Sequence, residues 1–118
     1  MSTKLMAYFN KQPRIGTLST ADKSGKVNCA PVGSPRMTDE KTVVLMLGNN
    51  RTFANLKENP YAVFAIMEPA ETVPKWKGIR VYLKMTDYKP AGERTSVTLE
   101  VYDIRPIVDS GQGWMASI

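Results

Sequence analysis

Two neighbouring segments, "IRVYLKMTDY" (79–88) and "SVTLEVYDI" (96–104), alternate apolar and polar side chains, with the turn residues "KPAGER" between them. A period of two fits a strand with one covered face and fits no helix. Val81, Leu83 and Met85 share one side of the first segment, opposite Arg80, Tyr82 and Lys84, and Val97, Leu99 and Val101 point inward from the second. The rest of the chain is punctuated in the same way. "RIGTLSTA" reads as a strand, "DKSGK" as a hairpin turn and "VNCAPVGS" as the returning strand. Pro31 marks that return as an edge or a bulge, because proline cannot donate to the ladder. "PRMTDEK" reads as a loop, while "TVVLML" and "YAVFAIME" are apolar enough to be covered on both faces. "PAETVPKWKG" is a connection with two prolines, and Pro106 breaks the last strand.

Two short helices complete the pattern. "TKLMAYFN" places Leu5, Met6, Tyr8 and Phe9 at amphipathic spacing before Pro13. "RTFANLKEN" follows Gly48 and stops at Pro60, which steers Asn59 away from helical angles. The outcome is a mainly β chain of six strands and two helices, a single domain over 1–118, antiparallel through its hairpins. Closure into a small barrel would remove most of its edges. A chain of 118 residues can bury roughly two thirds of the surface its unfolded form exposes.

Composition excludes several chemistries. There is no histidine and one cysteine, Cys29, so Cys/His zinc sites, Ser-His or Cys-His dyads, histidine-ligated haem and an internal disulfide all drop out. Acid–base work would fall to carboxylates, Lys, Tyr or a cofactor. The net charge of +5 comes from Lys and Arg scattered along the chain, without a basic cluster interleaved with aromatics, which disfavours a nucleic-acid partner. It suits an anionic ligand such as a phosphate ester. No run approaches the ~20 apolar residues of a membrane helix, and the amino end lacks a secretory core, so a cytosolic protein is expected.

One segment stands out for chemistry. "GNNRTFANLKENP" (48–60) crowds Gly48, Asn50, Arg51 and Thr52 at the start of a helix, where N–H groups lack partners and the dipole is positive. These residues fit a phosphate cradle. They equally fit an ordinary helix capped by Asn50 or Thr52, and caps are far commoner.

The blocks "RIGTLSTADKSGKVNCAPVG", "TVVLMLGNNRTFANLKENPYAVFAI", "WKGIRVYLKM" and "SGQGW" occur in an order that resembles the FMN-binding split-barrel family, which includes the pyridoxamine 5'-phosphate oxidases. The resemblance implies a six-stranded antiparallel split β-barrel and an FMN cofactor, with a deazaflavin as a lesser variant. It places Arg51 and Thr52 on the phosphate, with Asn50 and Asn55 nearby. Asn28, Cys29, Ala30 and Pro31 would approach the edge of the isoalloxazine ring, and Met46, Leu47 and Gly48 would lie against the ribityl chain and ring. It also implies a homodimer with the flavin between protomers. Trp114 would then either cover the flavin or pack on the barrel end. The histidine of pyridoxamine-oxidising members is missing, which argues against that particular reaction. Two functions remain open: a flavin-dependent oxidoreductase fed by a reduced nicotinamide or a redox protein, and an electron carrier or flavin store without turnover. No catalytic residue is singled out, since the cofactor performs the redox step.

Overall fold

The computed structural model describes residues 2–12, 14–69 and 76–107. Helix α1 (Ser2–Asn10) precedes strands β1 (Gly16–Ala21), β2 (Val27–Val32), β3 (Arg36–Asp39) and β4 (Thr42–Leu47); α2 (Arg51–Glu58) leads to β5 (Tyr61–Pro69), β6 (Trp76–Ala91) and β7 (Arg94–Pro106). The described strands form one seven-stranded antiparallel sheet in the order β2-β1-β5-β6-β7-β4-β3. Pro13, residues 70–75 of the "PAETVPKWKG" connection and the "SGQGW" block with Trp114 lie outside the described residues, while Pro69 and 76–78 of that connection belong to β5 and β6.

The mainly β class and the two helices are as the sequence implies, but the strand count is seven rather than six. The additional strand is β3, in the segment read as a loop. Its apolar content is Met37 alone, which is buried against the core, and its pairing with β4 carries a bulge between Met37 and Asp39. Four residues with one inward side chain carry no legible period. Asn10 at the end of α1 fixes this strand by a two-way exchange, its amide donating to the Met37 carbonyl and its oxygen accepting from the Met37 N–H.

Closure is also incomplete. Strands β2 and β3 are the two edges of the sheet, joined covalently by residues 33–35 but not paired with each other. Pro31 lies in the edge strand β2, opposite Thr17, where proline is tolerated because one side of the strand has no ladder partner.

The core lies inside the curl of the sheet. Leu18, Val43, Leu45, Phe64, Ile79, Val81, Leu83, Val97 and Leu99 are fully enclosed, and Leu5 and Phe9 of α1 close one side with the Phe9 ring 5.4 Å from that of Phe64. Phe53 and Leu56 of α2 close another. Strands β4 and β5 are buried on alternate residues only. Their continuous apolar runs reflect an outer face that no described helix covers, where Val27, Tyr61, Met67 and Tyr102 are exposed. The β6–β7 pairing is tight to its tip, with Ala91 opposite Arg94 and Gly92 at φ 69° in the turn. Gly78 is obligatory for a different reason: a Cβ there would collide with the Ile66 carbonyl of the paired strand. No described helix is long and apolar enough to cross a membrane.

Candidate functional site

The gap between the two sheet edges holds a cleft of about 330 Å³. One wall is Ala30, Pro31 and Val32 of β2, continued by Gly33 and Ser34. The other is Met46, Leu47 and Gly48 at the end of β4, and Asn50, Thr52 and Arg94 lie at its head. Ser34 ties the walls together: its hydroxyl oxygen lies 3.3 Å from both the N–H and the carbonyl of Met46, accepting from the first and able to donate to the second. Beside Gly48 the space is open, since a Cβ built there would meet nothing within 4 Å.

At the head of the cleft, the choice between cap and cradle resolves into a division of labour. Asn50 is the N-cap, with extended backbone angles, and its side-chain oxygen accepts from the Phe53 N–H at 3.0 Å. Its carbonyl takes the Ala54 N–H. The Arg51 and Thr52 N–H groups therefore remain in the first turn without intrahelical partners. Thr52 is buried, and its hydroxyl accepts from the Asn28 side-chain amide at 3.3 Å, which links α2 to β2.

Behind that link lies a second cleft of about 230 Å³, lined by Lys26, Val27, Asn28, Arg51 and Asn55. Lys26 is placed by the β1–β2 turn, where the Asp22 carboxylate accepts from the N–H groups of Ser24 and Lys26 and from the Ser24 hydroxyl. Those bonds hold the Asp22 carboxyl below its usual pKa. Asn55 is buried, and its amide donates to the Thr20 hydroxyl at 3.1 Å.

Of the residues singled out in the sequence, Ala30, Pro31, Met46, Leu47, Gly48, Asn50 and Thr52 line the first cleft, and Asn28, Arg51 and Asn55 the second. Cys29 lines neither. It alternates with Asn28 and Ala30 along β2 and is exposed, on the same face of the strand as Val27 and Pro31 but between the two clefts that those residues line. The sequence reading missed Lys26, Val27, Val32, Gly33, Ser34 and Arg94. Val27, Val32, Gly33 and Ser34 all lie within the quoted segment "VNCAPVGS" and were within reach. Arg94 lies 42 positions beyond Thr52 in a hairpin turn, and no local signal connects the two.

The donor set fits a flavin mononucleotide. Neither cleft is lined by a carboxylate, the first offers a partly apolar wall from Ala30 to Val32 and at Met46 and Leu47, and the cations Lys26, Arg51 and Arg94 line the two clefts together with free helix N–H groups. Another cleft, lined by Tyr8, Lys11, Arg14, Ile15, Ile66, Met67 and Glu68, fits less well. There the Tyr8 hydroxyl donates to Glu68, and burial together with that carboxylate pushes the phenol far above its usual value, leaving it a poor acid. Arg14 is spent on the Phe9 and Pro35 carbonyls and stacks on the Phe9 and Phe64 rings, with Nη1 buried and unpartnered.

Comparison with known proteins agrees on the architecture. An FMN-binding protein from Syntrophomonas wolfei subsp. wolfei is similar with a TM-score of 0.72 and 23% identity, over 87% of this chain and 82% of that one. A FAD-binding protein from Mesorhizobium loti matches at TM-score 0.69 and 12% identity, over 90% and 94%. The styrene monooxygenase flavin reductase of Pseudomonas putida S12 matches at 0.64 and 13%, over 78% of each chain. At these identities the likeness is one of fold. No curated protein sequence matches significantly. The family profile described as pyridoxamine 5'-phosphate oxidase matches residues 2–98, from α1 through most of the β4–β7 pairing. On that match the chain belongs to the pyridoxamine 5'-phosphate oxidase family.

Proposed function

We propose that this protein binds FMN in the cleft between its two sheet edges and acts as a flavin-dependent oxidoreductase. The observation that carries the reading is the continuity of a cleft without carboxylates, its one ionisable lining residue being Arg94, with an unpaired helix N-terminus. A flat, largely apolar ring with a doubly charged tail asks for that sequence of surroundings. Met46 and the β2 wall from Ala30 to Val32 would bound the ring. The open space beside Gly48 would admit the ribityl chain. Arg51, with the Arg51 and Thr52 N–H groups, would take the phosphate, and Lys26 adds positive charge on the same side.

When bound, the cofactor supplies the hydride or electron transfer. The chain's own contribution is to hold the ring against one dry wall and to fix the phosphate. Flavin-binding and flavin-reducing proteins of the same fold support this assignment.

A homodimer accompanies the proposal. The outer face around Val27, Tyr61 and Tyr102 is apolar and aromatic, the two tyrosine rings lie 5.8 Å apart edge to face, and the face adjoins the β2 edge of the cleft. A second copy would cover it and complete the flavin's enclosure.

The alternative is an electron carrier or flavin store. It is favoured by the lining of the first cleft, where no Asp, Glu, Lys, Tyr or Cys is present to move a proton. The decisive experiment is a visible absorption spectrum of the purified protein, followed by titration of any apo fraction with FMN and with FAD. A flavin spectrum is expected, with FMN bound more tightly. Oxidation of a reduced nicotinamide by the loaded protein then selects the enzyme, and reduction only by a redox protein selects the carrier. A colourless protein that ignores both flavins would overturn the proposal.

A further inference from the structure

We propose that Arg94 is a phosphate ligand, and that it makes this cleft select a flavin ending in a phosphate monoester over one whose phosphate continues as a diester. The proposal rests on the flavin reading of the cleft and deepens it, by giving the choice of cofactor to a residue that reading leaves unused.

Three observations set Arg94 at the phosphate end. It lines the head of the first cleft together with Asn50, the cap of α2, and Thr52 of its first turn, and it is the one ionisable side chain on that lining. Strand register brings it there. Leu47 and Thr95 form the end of the β4–β7 pairing, Arg94 directly precedes Thr95, and Gly48 directly follows Leu47 on the way into α2. Gly48 adds no side chain to the cleft, and the space beside it is open. Finally, Arg94 is exposed and forms no ion pair or side-chain hydrogen bond among the described residues, so its charge is available to a ligand.

The helix start is thereby flanked by cations from both clefts. Arg51 and Lys26 line the second, Arg94 lines the first, and the Asn28–Thr52 bond joins a residue of each. An anion at the unpaired Arg51 and Thr52 N–H groups has a cation to either side of that bond. A phosphate monoester loses its second proton near pH ~6, carries close to two charges at neutral pH and presents three terminal oxygens. Those oxygens match three sets of donors: the helix N–H groups, Arg51 and Arg94. A diester such as that of FAD carries one charge and two terminal oxygens, and its second ester bond has to leave through a side that a cation holds. Coulomb attraction scales with the charge of the ligand, so each cation attracts the dianion about twice as strongly as the monoanion.

The test compares wild type with Arg94→Ala, Arg94→Lys and Arg94→Glu, using the affinities for FMN, FAD and riboflavin read by flavin fluorescence. FMN binding is also followed from pH 5 to pH 8. Arg94→Ala is expected to weaken FMN about tenfold, FAD about threefold or less, and riboflavin not at all. Arg94→Glu should lose more of the preference for FMN over FAD, and Arg94→Lys should keep part of it, having the charge without the planar fork. In wild type, FMN affinity should rise with pH as the second phosphate proton leaves, because the cations favour the dianion, and that rise should be smaller in Arg94→Ala. Because Arg94 is exposed at a hairpin turn, the variants should melt with the wild type. An Arg94→Ala protein with the wild-type preference for FMN over FAD and the wild-type pH profile overturns the proposal. Equal losses for FMN and riboflavin also overturn it, by taking Arg94 away from the phosphate. A wild type that binds FAD as tightly as FMN overturns the selectivity while leaving the flavin reading intact. If wild type takes up no flavin, the reading beneath the proposal falls with it.

Discussion

The side-chain amide of Asn28, on the edge strand β2, donates to the hydroxyl of Thr52, on α2, at 3.3 Å across 24 residues of sequence. This bond joins the free edge of the sheet to the helix whose first turn faces the candidate phosphate site. Thr52 is buried, so its hydroxyl has no access to bulk water as a substitute. Thr52→Val preserves the shape and removes the acceptor. It should destabilise the fold by about 1 kcal/mol, read as a lower urea midpoint, and should weaken FMN by loosening the helix end. An unchanged midpoint together with unchanged FMN affinity would show that the two elements are held by other contacts.

Arg51 leads α2 and is exposed, with its side chain on the second cleft. If it grips the phosphate, Arg51→Ala removes about 1.5–3 kcal/mol from FMN binding and leaves riboflavin nearly untouched. Equal losses for the two ligands, measured by fluorescence quenching, would sink that role.

Asn50 has a structural duty that can be separated from any contact with ligand. Asn50→Ala should cost about 1 kcal/mol through loss of the bond to the Phe53 N–H, while Asn50→Asp should restore the cap. Thermal melts of the apo protein measure this without cofactor. A neutral alanine variant would mean that α2 is held in place by Phe53 and Leu56 alone.

Asn55 and Thr20 form a buried polar pair, at 2% and 3% exposure, that water cannot replace. Asn55→Leu strands the Thr20 hydroxyl and is expected to cost about 1–3 kcal/mol. The double variant with Thr20→Val should recover part of that loss, because both polar groups are then gone. A double-mutant cycle with no coupling energy would argue against the pairing.

A flavin shared between protomers should be lost as the dimer dissociates. Sedimentation and flavin fluorescence, followed over the same dilution series, should therefore show one midpoint. A monomer that keeps its flavin with undiminished affinity would contradict the shared site.

How much was legible in the sequence varies element by element. The β6–β7 hairpin was fully readable because both strands keep one face in the core, and Val81, Leu83, Val97 and Leu99 are all fully buried. Helix α2 was nearly as readable, with its stop before Pro60 and its cap narrowed to Asn50 or Thr52, of which the structure selects Asn50. Strand β3 was not, since a four-residue strand with Met37 as its one buried side chain is defined by its pairing to β4 and its clasp by Asn10. The double coverage expected for "TVVLML" and "YAVFAIME" failed because apolar content does not reveal which surface lies opposite a strand.

The candidate site divides in the same way. Its contiguous pieces, the β2 wall from Asn28 to Pro31 and the run from Met46 to Thr52, came from local pattern and from resemblance to a family. By itself the sequence determined the strand periods, the helix limits, the turn chemistry and the absence of histidine, all of which can be read without knowing which distant segments meet. Only the tertiary structure decided that the sheet stays open between β2 and β3, that Cys29 lines neither cleft, and that Arg94 comes to line the same cleft as Gly48. Those facts depend on strand register and order, which are set by the summed packing of residues far apart in sequence, and no local segment encodes them.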